Sequence, residues 1–140
     1  MNFYWPIILI VVSNVCYHLC AKSMPQSVNP LASLGITYLV GAASAVFLYF
    51  LTSPVKNLAA EYAGINWTAF ILGIAIVGLE FGSINMYKLG WNISIGSLVA
   101  NIALAVILIL IGVLLYKETI TPQQLMGIGL CIAGLIFINK

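Results

Sequence analysis

The sequence predicts an all-α integral membrane protein: a five-transmembrane-helix bundle forming a single domain over residues 1–140. Three observations carry that prediction. Hydrophobic residues make up 63% of the chain and charged residues only 6%, against about 25% charged in an average soluble domain. Five lysines and three glutamates cannot cover the surface of a water-soluble protein of this size. The apolar residues also gather into runs near twenty residues long, separated by polar punctuation, which is the length a helix needs to cross a bilayer.

The first run covers residues 5–21. Pro6 suits the first helical turn, where its missing N–H costs nothing, and Lys22 closes the run and can snorkel to the interface. No Lys or Arg precedes this run and no small-x-small cleavage site follows it, so it is expected to stay as a span. Asn29-Pro30 pairs an N-cap with a proline at the first helical position and opens the second span, 31–52. That span is rich in small residues, which let helices approach closely in lipid. The loop 53–66 is the longest and has room for a short interfacial turn of helix. Trp67 sits where an interfacial aromatic belongs and starts the third span, 67–89. A short linker makes a tight hairpin with the fourth, 94–116. Thr121, Pro122 and Gln124 then form a capping box for the fifth, 122–138, which is at the short end of what crosses a bilayer. Gly127, Cys131 and Gly134 share one face of it, a seam suited to helix or dimer packing.

Several functions are disfavoured by what the chain lacks. It has no arginine and no aspartate, which weakens any reading that needs a bidentate phosphate clamp or an aspartate-based metal or catalytic site. No basic stripe supports nucleic-acid binding. Cys16, Cys20 and Cys131 lie inside apolar runs and read as small hydrophobes. No nucleophile–base pairing is visible, so no catalytic residue, metal site or cofactor is expected. Lysines barely bias the orientation: Lys56 and Lys117 fall on one side with the N-terminus, and Lys22, Lys88 and Lys140 on the other. So even a balance permits insertion both ways round.

Glu80 stands apart from this pattern. It lies near the middle of the third span, where a charged side chain costs roughly 2.5–3.5 kcal/mol on insertion scales. At 100° per residue, Gly73, Ile76, Val77, Ser83, Ile84 and Tyr87 share its stripe, with the Ser83 and Tyr87 hydroxyls as candidate partners. Gly78 and Gly82 fall almost opposite as a G-x-x-x-G packing pair. The first span has its own polar stripe of Asn14, His18 and Lys22, flanked by Ser13 and Tyr17. The fourth has Ser94, Ser97 and Asn101. Exposing three such stripes to lipid is costly, so they are expected to face a hydrated cavity, with Tyr17, Tyr38 and Tyr87 able to line an aromatic pocket for a cation. A carboxylate there can exchange a proton for a cation or bind an amine directly. The competing reading is a structural Glu80, protonated or hydrogen-bonded between helices.

Residues 116–140, YKETITPQQLMGIGLCIAGLIFINK, resemble the closing segment of the drug/metabolite transporter superfamily, through Glu118, Thr121, Gln124, Gly127 and Gly134. The helix before it fits the same pattern, as does the opening segment with Lys22 just past its apolar run. Small multidrug resistance proteins of this superfamily carry a carboxylate in their first span, and here the matching position is Asn14, which argues against a standard exporter of that branch. EamA-type transporters are built from two five-span inverted repeats, and this chain is similar to one repeat. The resemblance implies that two copies pack in opposite directions around a midplane site, as alternating access generally requires, with a heteromeric partner of similar size as the rival. It further implies a small organic metabolite or cation as substrate and a bacterial or archaeal plasma membrane as the setting. A subunit of a lipid-linked sugar flippase, or a non-transporting accessory protein, are the alternatives.

Overall fold

The computed structural model describes residues 4–117, 119 and 121–138; Glu118 and Lys140, both used in the reading above, lie outside them. All regular structure among the described residues is helical: α1 Trp5–Ser23, α2 Pro30–Thr52, α3 Leu58–Ala63, α4 Trp67–Lys88, α5 Ile93–Tyr116 and α6 Pro122–Ile138. The chain is an all-α membrane protein. Four described helices, α1, α2, α4 and α5, are long and apolar enough to cross a bilayer. The expected fifth span does form a helix, α6, but its 17 residues rise only about 25 Å, short of a hydrocarbon core about 30 Å thick.

The helix starts follow from local chemistry. Asn29 accepts a hydrogen bond from the Leu31 N–H at 2.9 Å, with Pro30 as the first helical residue. Asn66 accepts from the Thr68 N–H at 3.0 Å to start α4. At α6 the capping box closes in both directions: the Gln124 N–H donates to Thr121 Oγ1 at 3.3 Å, and the Thr121 N–H donates to Gln124 Oε1 at 2.9 Å. The long loop contains the short helix α3, capped by Asn57. Gly90, at φ 95°, takes the left-handed conformation that ends α4 at little steric cost.

Two compact units make up the chain, one of Leu19–Leu89 and one of Met1–His18 with Gly90–Lys140. In the first, α2 packs against α4. Its buried residues are Ala21, Leu34, Ile84 and Tyr87, none more than 6% exposed. They come from the end of α1, the start of α2 and the end of α4, so the apolar core sits at one end of this unit. Polar contacts fasten the same end. Lys88 Nζ donates to the carbonyls of Gln26 and Val28, and Lys22 Nζ lies 5.7 Å from the centroid of the Tyr87 ring, within cation–π range. At the other end, Tyr49 donates to the Val55 carbonyl at 2.8 Å, and α2 and α3 flank a groove of about 440 Å³ lined by Ala42, Val46, Leu58 and Glu61.

In the second unit α6 packs along α5, and only Gly96 and Gly112 are buried on α5. The helix ends at Lys117, whose N–H returns to the Gly112 carbonyl from a left-handed backbone, φ 54°. Large apolar side chains stand exposed along every long helix, among them Ile36 and Leu39 on α2, Phe70 and Ile74 on α4, and Leu114 on α5. In a membrane-embedded chain such surfaces can meet lipid without the cost they would carry in water.

The capping box gives a direct check. Replacing Thr121 by Ala removes one cap acceptor, worth about 1 kcal/mol. Hydrogen exchange in lipid nanodiscs is expected to speed up at the Gln124 amide by roughly fivefold, with α5 amides unchanged. Unchanged exchange at Gln124 would show that the cap does not hold the start of α6.

Candidate functional site

The described polar side chains of the long helices meet the bilayer's demand mostly within their own helix. Ser83 Oγ donates to the Leu79 carbonyl at 2.9 Å, and Asn85 Nδ2 to the Phe81 carbonyl at 2.8 Å. Ser97 Oγ donates to the Ile93 carbonyl at 2.6 Å, and Asn101 Nδ2 to the Ser97 carbonyl at 2.8 Å. Thr37, Ser44 and Thr52 on α2 bond one turn back in the same way. A carbonyl that already accepts a helical N–H has a second lone pair for this. A hydroxyl or amide so bonded does not require a hydrated cavity, and this weakens the inference from polar stripes alone.

Glu80 is different because an ionised carboxylate only accepts. It cannot use the carbonyl one turn back. Among the described residues no hydrogen bond or ion pair reaches it: Ser83, expected as a partner, is committed to Leu79, and Tyr87 is buried beneath Lys22. Glu80 is half-buried, and with Val77, Ser83, Ile84 and Tyr87 it belongs to the less exposed stripe of α4. Gly73 and Ile76, placed on the same stripe from the sequence, are exposed, so its cover begins at Val77. The Glu80 stripe is the covered one, because Ile84 and Tyr87 bring far more apolar area than two glycines. Gly78 and Gly82 are exposed, and a Cβ built on either meets nothing within 4 Å.

The other candidates separate by unit. On α1, Tyr17 and His18 are half-buried neighbours with their rings edge-on, centroids 5.1 Å apart; Asn14 is exposed. Tyr38 on α2 is half-buried. Asn101 lines a groove of about 520 Å³ between α5 and α6, together with Gly127 and Cys131. Those two share with Gly134 the face expected to serve helix or dimer packing. A Cβ built on Gly127 or Gly134 meets nothing within 4 Å. The sequence reading passed over Thr119 and Gln124 as groove residues, although the capping box already placed Gln124 in the first turn of α6. It also passed over the fastening role of Lys88, which joins residues more than sixty positions apart and has no local signature. Among the described residues, no group of three or more His, Cys, Asp or Glu is placed to hold a metal ion.

The unpartnered state of Glu80 predicts how stability responds to its neutralisation. Glu80→Gln removes an intramembrane charge without breaking any bond described above. Its resistance to unfolding in mixed detergent–SDS micelles is expected to equal or exceed that of the native protein. A loss of more than about 1 kcal/mol, the worth of a typical hydrogen bond, would show that Glu80 is a structural strut.

No curated protein matches the chain, and no solved structure does. Residues 4–140 match the model of the EamA-like transporter family, nearly the whole chain, in agreement with the helical architecture. The chain thus belongs to the EamA-like transporter family, and it is a multi-pass membrane transporter of the drug/metabolite type.

Proposed function

We propose that the protein carries a small organic metabolite or cation by alternating access as an antiparallel homodimer, with Glu80 binding the cation or exchanging a proton for it. The observation that carries this reading is a half-buried carboxylate in mid-helix with no partner among the described residues. A group held so expensively and left without a counter-charge suits a ligand that supplies the positive charge. It fits the accessory-protein reading poorly, since that reading needs Glu80 bonded in a dry interface.

Three further observations support the paired assembly. The lysine balance is close to even, so charge does not force one orientation. Gly78 and Gly82 leave a face of α4 open to close approach, and in lipid such faces favour helix association. α6, short for a span, is more easily accommodated where helices associate. A similar-sized heteromeric partner is the rival assembly, and a bacterial or archaeal plasma membrane is the proposed setting.

Two measurements test this. A single cysteine added at either terminus, in a background with Cys16, Cys20 and Cys131 replaced by Ser, is labelled with an impermeant maleimide from each side of the membrane. Labelling of each terminus from both sides is expected; labelling from one side alone excludes the antiparallel homodimer. In proteoliposomes, a panel of quaternary ammonium ions, amines and neutral metabolites is expected to include at least one compound taken up above protein-free liposomes. Failure of the whole panel would contradict the substrate class.

A further inference from the structure

We infer that the groove between α5 and α6 is a binding site for a bilayer-dissolved amphiphile: an apolar molecule of drug size that carries a hydroxyl or amine hydrogen-bond donor. The groove's volume, about 520 Å³, lies within the range of roughly 300–1,000 Å³ typical of small-molecule sites. Ile102, Val106, Ile109 and Ile128 supply branched apolar walls, and among the described residues no charged side chain lines it. These walls take an apolar body.

The polar groups on its wall are few and have defined roles. Asn101 gives its Nδ2 to the Ser97 carbonyl. A backbone carbonyl only accepts, so the amide nitrogen must face it, and Oδ1 is the atom left over. Asn101 thus presents an acceptor in an apolar surrounding, where an unmet acceptor is costly. A ligand hydroxyl or N–H satisfies it; an alkane or an ether does not. At the connector end, Gln124 Oε1 is taken by the Thr121 N–H, which leaves the Gln124 amide N–H groups as donors beside Thr119. Cys131 lies seven residues along α6 from Gln124, about 10 Å down the helix, so the groove descends from the interfacial connector into the span.

The source of the ligand follows from where the groove runs. It lies along α5, a helix long and apolar enough to cross the bilayer, and its walls are apolar there, so it is filled from the membrane. Gly127 keeps it open: no atom lies within 4 Å of a Cβ built there, and a larger side chain would occupy the space.

The test uses Cys131, exposed and on the groove wall, as the reporter. Full-length protein carrying Cys16→Ser and Cys20→Ser is placed in phosphatidylcholine nanodiscs, and its reaction with N-ethylmaleimide is followed. The probes are 4-octylphenol and its methyl ether 4-octylanisole, matched in body and compared at equal mole fraction in the membrane. Octylphenol is expected to slow the reaction about three- to tenfold more than octylanisole, the worth of one hydrogen bond. Asn101→Leu should remove that difference, and Gly127→Leu should remove protection by both probes. Equal protection by phenol and ether overturns the inference, as does no protection by either, or a difference that survives Asn101→Leu. Protection that needs no probe and grows with the protein-to-lipid ratio also overturns it, because a second copy of the chain would then fill the groove.

Discussion

Lipid supplies no hydrogen bonds, and the side chains of this protein are arranged around that constraint. Many serines, threonines and asparagines on the long helices turn back to carbonyls of their own helix, as at Ser83, Ser97 and Asn101. The solution needs a donor hydrogen. An ionised carboxylate has none, so in that form Glu80 cannot be satisfied by the helix that carries it. The same chemistry that quiets the other polar residues singles this one out, and a positively charged ligand or a proton is the natural complement.

The unit that carries Glu80 is fastened unevenly. Its buried residues and its lysine contacts gather where the end of α1, the start of α2 and the end of α4 meet. Tyr87 joins the two kinds of contact: its ring is buried, and Lys22 lies over it. Glu80 sits about two helical turns before Tyr87, beyond this fastened end, on the same stripe but less covered. A rigid end beside a looser carboxylate suits a group that must be held in place yet reached by a ligand.

Much of this was legible in the sequence, for identifiable reasons. Helix positions followed from apolar run length and from caps that act locally: Asn29-Pro30 and the Thr121–Gln124 box form as their residue types dictate. Membership of the transporter superfamily was legible in residues 116–140. The candidate site is harder to read from sequence. Helical geometry places Glu80 with Ser83, Ile84 and Tyr87, but it cannot say which neighbour covers a stripe. Within this unit Ile84 and Tyr87 are buried and Gly78 and Gly82 are exposed. Hydroxyl-to-carbonyl bonds within a helix are equally silent in a sequence, and so polar stripes suggested more cavity than those residues require. The groove between α5 and α6 depends on how two helices diverge, which no single residue announces.

The central claim is that Glu80 is the group through which a cation or proton is handled. It is tested most directly by uptake of an organic cation into proteoliposomes with and without an imposed pH gradient, comparing the native protein with Glu80→Gln. The account predicts gradient-driven uptake by the native protein and its loss in Glu80→Gln. Full uptake by Glu80→Gln, indifferent to pH, would contradict it.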